Sequence, residues 1–158
     1  MLIKGLIDES FVDYKKPCMY IAFPKCNFKC DKEAGCSICQ NSSLAHEKDF
    51  DISPIEIVSR YVKNDITKAI VLSGLEPFDS WVDLCELIKT IRDFTEDEIV
   101  IYTGYNGDEI AKQTYWLGNQ YKNIVVKFGR FIPNQKKKYD EELGVELASP
   151  NQYARRIS

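Results

Sequence analysis

Four short apolar runs alternate along this chain with segments whose apolar residues recur at helical spacing. The runs carry the aliphatic and β-branched residues typical of buried strands, and they cover residues 19–23, 68–73, 98–103 and 124–126. The helical segments lie between them, at about 54–63, 80–94 and 107–118. This order predicts an α/β fold with a mainly parallel sheet and right-handed crossover helices.

Local signals set the expected helix boundaries. Residues 53–56, Ser-Pro-Ile-Glu, combine an N-cap serine, a proline at the first helical position and a glutamate three residues after the cap. Asp79 or Ser80 is expected to cap the second helix. Residues 106–109 resemble a capping box for the third helix, which Gly118 is expected to end.

A polar or glycine-bearing segment follows each of the four predicted strands. These segments are residues 24–45, 74–77, 103–106 and 127–130. Because the carboxyl ends of parallel strands share one edge of a sheet, and functional loops gather there, we expect all four segments to lie together.

The first of these segments contains most of the cysteine of the chain. Four of the six cysteines fall within fourteen positions, at Cys26, Cys30, Cys36 and Cys39. Closely spaced thiolates suit an iron–sulfur cluster or a structural zinc ion, so a closed four-thiolate zinc module is one open alternative. We expect the other two cysteines, Cys18 and Cys85, to lie in the core, and the single histidine, His46, to lie in a surface loop.

Length and charge narrow the class of protein. The 158 residues match the usual size of one domain, here residues 1–158, and the net charge of −3 argues against general nucleic-acid binding. No apolar stretch approaches the roughly 20 residues of a membrane span. The N-terminal residues do not resemble a signal peptide, so a cytoplasmic location with no membrane partner is expected.

Several of these segments together resemble the radical S-adenosylmethionine enzymes. Cys26 and Cys30 match the first spacing of the C-x3-C-x2-C loop of that family, Cys36 and Cys39 match the second, and Ile38 occupies its apolar position. An insertion between the two spacings leaves four candidates for three ligands. The resemblance implies Cys26, Cys39 and, preferably, Cys30 as cluster ligands, with Cys36 as the alternative.

Within that family, the chain is most similar to the activating enzymes of anaerobic (class III) ribonucleotide reductase. Residues 39–41 resemble their C-x-N sequence, residues 74–77 their G-G-E-P segment, residues 102–105 a T-G-Y strand end, and residues 149–152 a terminal S-x-N-Q stretch. Leu75 replaces the second glycine of G-G-E-P, so the backbone there cannot require glycine.

This resemblance implies a fold, an activity and partners. The fold would be a minimal partial (βα) barrel with its cluster loop at residues 24–45. The enzyme would use a 4Fe-4S cluster to cleave S-adenosylmethionine and so generate a glycyl radical on the reductase, with no protein acid–base pair. The alternative is that the enzyme activates a different glycyl-radical enzyme or modifies a peptide. A low-potential electron donor such as flavodoxin or ferredoxin would be a second partner.

The resemblance also implies cofactor-binding residues, which are Ile38, Gln40, Ser73, Gly74, Glu76, Tyr102, Thr103, Lys127 and Arg130. Ile38 would contact the adenine, the segment around Glu76 would receive the methionine amino group, and Tyr102 and Thr103 would face the ribose. Glu76 could instead be a turn residue before Pro77. Lys127 and Arg130 could neutralise the substrate carboxylate or could equally be strand-end charges that reach solvent.

Overall fold

The computed structural model describes residues 1–158, which form ten strands, five α-helices and one short 3-10 turn. The strands are β1 (Leu2–Ile3), β2 (Gly5–Ser10), β3 (Cys18–Phe23), β4 (Phe50–Asp51), β5 (Ala69–Gly74), β6 (Glu98–Tyr102), β7 (Ile124–Phe128), β8 (Lys138–Asp140), β9 (Val145–Leu147) and β10 (Tyr153–Arg156). The helices are α1 (Lys29–Ala34), α2 (Ser42–His46), α3 (Pro54–Val62), α4 (Trp81–Arg92) and α5 (Ala111–Gln120), and the 3-10 turn covers Pro77–Ser80. None of the helices combines the length and the apolar character that crossing a membrane requires.

The main sheet has six strands in the order β10-β7-β6-β5-β3-β2. The four strands in the middle are parallel, whereas β2 and β10 pair antiparallel at the two edges. Because β3, β5, β6 and β7 lie side by side in chain order, right-handed crossovers place α3, α4 and α5 on the same face. One face of the sheet is therefore packed against these three helices.

Packing confirms this one-sided arrangement. The largest apolar cluster has 22 buried residues and joins alternate strand side chains, such as Ile70 and Leu72, to the inner faces of α3, α4 and α5. Helix α4 alone buries Leu84, Leu87, Ile88 and Ile91. Each such side chain contributes roughly 1.5–3 kcal/mol relative to an exposed one.

The opposite face of the sheet is apolar near the amino ends of the parallel strands and polar near their carboxyl ends. Its second cluster of eight buried residues includes Cys18, Val71 and Val100, and the β8–β9 segment covers it with Leu143 and Leu147. Side chains two residues further along each strand lie on the same face. Those positions are Ser73, Tyr102 and Lys127, so polar groups meet at the carboxyl end of this face.

The structure confirms the starts of the first two helices and corrects the boundaries of the third. The Ser53 hydroxyl accepts a hydrogen bond from the Glu56 N–H at 3.2 Å, as an N-cap does. Ser80 is the N-cap residue of α4, as one of the two predicted positions, although neither its side chain nor that of Asp79 makes a capping hydrogen bond. The Glu109 carboxylate accepts a hydrogen bond from the Asn106 N–H at 2.8 Å, as in a capping box, but helix α5 starts only at Ala111 and continues through Gly118 to Gln120. Gly118 therefore does not end the helix. Its role is close packing, because a Cβ at this position would lie 2.5 Å from the Ile157 carbonyl oxygen.

Candidate metal centre

Three of the four clustered cysteines open onto one cavity at the carboxyl edge of the sheet. Cys26 follows β3, Cys30 lies on α1, and Cys39 lies just before α2. All three line what we call the thiol cavity, together with residues from the ends of β5, β6 and β7. Cys36 is exposed and lines a neighbouring side groove, together with Cys30, Ile38 and Phe131.

Most of the predicted cofactor-binding residues lie around the thiol cavity. Seven of the nine line it, namely Gln40, Ser73, Gly74, Glu76, Tyr102, Thr103 and Lys127. The other two, Ile38 and Arg130, line the side groove. The four strand-end segments therefore meet at one edge of the sheet, as the sequence predicted.

Asp31 closes the insertion that lengthens the cysteine loop. One of its carboxylate oxygens accepts hydrogen bonds from the backbone N–H groups of Ile38 and Cys39, both at 2.9 Å. The Asn41 side chain then donates to the carbonyl of Gly74 at 2.9 Å. Because Asp31 is adjacent to Cys30, these bonds fix Cys30, Cys39 and the end of β5 relative to one another.

A second set of bonds joins the cysteine loop to the loops after β5 and β6. The Asn27 N–H donates to Asp79 at 2.8 Å, and the Asn27 side chain donates to the Tyr105 hydroxyl at 2.7 Å. That hydroxyl donates in turn to Asp79 at 2.6 Å. Burial and the bond to Asp79 raise the pKa of Tyr105. Asp79 is thus used for anchoring the loop, which explains why it does not cap α4.

Arg130 is a buried clamp rather than a strand-end charge in solvent. Its side chain is 7% exposed and pairs with Glu33 on α1 at 2.9 Å and with Glu109 at 2.7 Å. It also donates to the carbonyl of Gly104. The bond from Arg130 is the main reason that the pKa of Glu109 falls to about 2. The solvent alternative for Arg130 is wrong, and its charge is already balanced by two carboxylates of the protein.

Residues 149–152 support the loop that follows β7. The Asn151 side chain donates to the Arg130 carbonyl at 3.0 Å, and Gln152 donates to the Gly129 carbonyl at 3.4 Å. Gly129 has φ +106° and a Cβ there would lie 3.0 Å from the Asn151 carbonyl oxygen. The S-x-N-Q stretch thus holds the loop that carries Arg130 against the end of the sheet.

Glu76 is a buried carboxylate that joins the ends of β5 and β6. It is 4% exposed and accepts hydrogen bonds from the Thr103 hydroxyl at 2.8 Å, the Gly104 N–H at 2.8 Å and the Phe78 N–H at 3.2 Å. Burial raises its pKa from 4.5 to about 7, against the opposing effect of these bonds. The bond to Phe78 is the turn role that the sequence offered as an alternative, and the other two bonds go beyond it.

Lys127 is the second buried ionisable group of the thiol cavity. It is 7% exposed, and its ammonium donates to the Gly129 carbonyl at 3.2 Å. Burial lowers its pKa to about 8, while the charges of Glu76 and Cys30 act in the opposite direction. The prediction that Lys127 could reach solvent is wrong, because the side chain lies inside the cavity wall.

The two predicted ribose contacts already have partners within the protein. The Tyr102 hydroxyl donates to the Asp13 carbonyl at 2.7 Å, and the Thr103 hydroxyl donates to Glu76. The ring of Tyr102 still lines the cavity. His46 is exposed at the end of α2, as expected, and Cys18 is fully buried, whereas Cys85 is only half-buried.

The donor set fits an iron–sulfur cluster. No three Cys, His, Asp or Glu side chains converge closely enough to hold a single metal ion. A four-iron cluster binds each thiolate at a different iron, so its ligands surround a cavity instead of meeting at one point. Burial raises the pKa of Cys26 to about 11 and also raises that of Cys39, so metal binding releases protons from these thiols.

Comparison with known proteins agrees with this donor set. Residues 18–152 match the model of a family described as a 4Fe-4S single cluster domain. The chain belongs to this family. As a 4Fe-4S single cluster domain, it binds an iron–sulfur cluster. Such a cluster is compatible with the activity of a redox enzyme. No curated protein and no solved structure matches the chain.

Sequence reasoning missed the residues that position the cysteine loop. Asn27 and Asp31 lie inside the cysteine spacing, and Asp79 and Tyr105 lie in the loops that face it. Asn and Asp in short loops often accept bonds from nearby backbone N–H groups, which was the available signal for Asp31. The partnership of Asn27 with Asp79 depends on the tertiary fold.

The raised pKa of Glu76 predicts a pH dependence of stability in the metal-free protein. The folded protein binds this proton more tightly than the unfolded chain, so its contribution is complete below pH 4.5 and is lost as pH rises to about 7. The free energy of unfolding is expected to fall by about 3 kcal/mol over this range. Urea unfolding of wild type and Glu76→Gln at both ends of the range measures it. An equal fall in the variant would show that other groups cause the effect.

Proposed function

We propose that this protein is a radical S-adenosylmethionine activase that generates a glycyl radical on anaerobic ribonucleoside-triphosphate reductase. The observation that carries the proposal is the set of thiols around the cavity, which includes Cys26, Cys30 and Cys39 but not Cys36. Three thiolates on a four-iron cluster leave one iron without a protein ligand, which is the open position that catalysis needs.

Cys26, Cys30 and Cys39 would hold the cluster, which together with S-adenosylmethionine would supply the radical chemistry: a one-electron reductive cleavage of the sulfonium bond, used to remove a hydrogen atom from a glycine of the partner. The protein residues bind, orient and shield. Asp31, Asn41 and Arg130 hold the cysteine loop against the strand ends. This fixed geometry would hold the three cysteine ligands around the thiol cavity.

Glu76 has room for one more donor. A carboxylate offers about four lone-pair sites, and Glu76 uses three of them within the protein. The methionine amino group is a cationic donor that would suit the fourth, beside Ser73 and Gly74 of the same cavity. Lys127 lines the same cavity and would neutralise the methionine carboxylate.

The fold supports a large partner instead of a small substrate. A sheet with its crossover helices α3, α4 and α5 on one face has the layer order of a (βα) barrel, and we interpret it as a minimal partial barrel of the radical S-adenosylmethionine type. The two antiparallel edge strands leave it open. A loop of a protein can therefore approach the thiol cavity. Flavodoxin or ferredoxin would supply the electron.

Radical transfer tests the proposal directly. Anaerobically reconstituted protein, reduced and mixed with S-adenosylmethionine and the class III reductase of the same genome, is expected to form 5'-deoxyadenosine and a glycyl-radical doublet in the electron paramagnetic resonance spectrum. The doublet is expected to vanish when the radical-loop glycine of the reductase is replaced by alanine.

Two controls separate the alternatives. Cys39→Ala protein, which lacks one ligand, is expected to make neither product. If 5'-deoxyadenosine forms without a protein radical, the substrate is another glycyl-radical enzyme or a peptide. If the purified protein contains stoichiometric zinc and no iron, the proposal fails.

A further inference from the structure

Lys127 is a buried cation that has no carboxylate partner. It is 7% exposed, lines the thiol cavity, and has one hydrogen bond, to the Gly129 carbonyl. The ion pairs of the protein, counted to 4.0 Å, do not include it. The nearby buried cation Arg130 has two carboxylates within 2.9 Å. Arg130 therefore has its charge balanced by carboxylates of the protein, whereas Lys127, at the same edge of the sheet, does not.

An unpaired buried charge is costly unless something in its surroundings compensates it. Removing water from an ammonium costs several kcal/mol, and one carbonyl recovers only part of that. Glu76 lines the same cavity, but it forms no ion pair with Lys127 and is bonded to three other donors. The compensating negative charge is therefore expected inside the thiol cavity itself.

The thiols identify that charge. Cys30 and Lys127 line the same cavity. A virtual Cβ at Gly104 lies 3.7 Å from the Cys30 sulfur and 3.6 Å from a Glu76 oxygen, so Cys30 and Glu76 occupy the same corner of the cavity. A cluster bound by thiolates is anionic, and reduction adds one more negative charge. Charge and burial around a cluster are among the factors that set its potential.

We propose that the buried charge of Lys127 raises the reduction potential of the cluster by stabilising its reduced state. The proposal rests on cluster binding by the thiol cavity and does not depend on S-adenosylmethionine. The interaction between the Lys127 ammonium and the cluster is strong because the ammonium is buried, and buried charges are poorly screened.

The test is a redox titration of the reconstituted protein without S-adenosylmethionine. Lys127→Met removes the charge and keeps an unbranched, flexible side chain one atom shorter. The equilibrium constant for reducing its cluster is expected to fall about tenfold. For a one-electron couple this lowers the midpoint potential by ~59 mV. Lys127→Arg keeps the charge and is expected to titrate like wild type. Lys89→Met, which removes an exposed charge on α4, is the matched control.

Thermal unfolding of the metal-free proteins separates an electrostatic role from a structural one. Lys127→Met removes an unpaired buried charge, so its metal-free form is expected to unfold at no lower temperature than wild type. An unchanged midpoint potential in Lys127→Met would overturn the proposal, as would an equal shift in Lys127→Arg. If Lys127→Met and Lys127→Gln bind no iron while Lys127→Arg does, the charge acts on assembly and the proposal is wrong. Failure of radical transfer alone would leave it standing.

Discussion

Replacement of Cys30 by serine is expected to abolish cluster binding, whereas replacement of Cys36 by serine is expected to leave it intact. Cys30 opens onto the thiol cavity with Cys26 and Cys39, and Cys36 is exposed in the side groove. A serine hydroxyl is a hard ligand that does not replace a soft thiolate on iron. Iron and sulfide are counted after anaerobic reconstitution, and the absorbance of the cluster is measured in parallel.

A matched control accounts for general effects of losing a cysteine. Cys85 lies on α4, is half-buried and is far from the cysteine loop in sequence, so Cys85→Ser is expected to bind a full complement of iron. Loss of iron in Cys36→Ser with full retention in Cys30→Ser would reverse the choice of third ligand. Loss in both would indicate a closed site with four thiolates.

Gly74→Ala is expected to destabilise the protein more than any other glycine-to-alanine change at this edge of the sheet. Gly74 has φ +95°, and a Cβ there would lie 2.6 Å from both the Ala22 Cα and the Phe23 nitrogen on the adjacent strand β3. The conformation alone costs roughly 1–2 kcal/mol for a residue with a side chain. Overpacking against backbone that cannot move adds roughly 1–3 kcal/mol or more.

Gly35 provides the comparison that isolates the steric part. It also has positive φ, at +69°, but a Cβ there meets nothing within 4 Å. Gly35→Ala is therefore expected to lose only the conformational part. Urea unfolding of the two metal-free variants measures the difference in the free energy of unfolding. Equal losses in the two variants would mean that β3 and β5 can move apart at no cost.

The parallel core and its functional edge were predictable because they depend on local patterns. The four apolar runs became β3, β5, β6 and β7, and the Ser53 cap formed as expected. The edge strands were not predicted. β2 and β10 are largely polar, with the sequences GLIDES and YARR, and only pairing with β3 and β7 makes them strands.

The charges of the site were the least predictable part. Lys127 and Arg130 are near neighbours in sequence, at the end of the same strand, and nothing local distinguishes them. Arg130 is paired because Glu33 on α1 and Glu109 before α5 fold back onto it. Lys127 lines the thiol cavity, where no carboxylate pairs with it. Which charge is balanced depends on contacts between segments distant in sequence, and so requires the three-dimensional structure.

The cysteine loop and the apolar core are separate parts of the molecule. Neither apolar cluster contains a residue between 24 and 51, and α1 and α2 bury none of their residues. Zinc fingers differ, because their fold itself requires the metal. In this protein, damage to the cluster by oxygen would release iron while the sheet and its helices persist. The metal-free protein is therefore expected to keep its fold and to accept a new cluster on reconstitution.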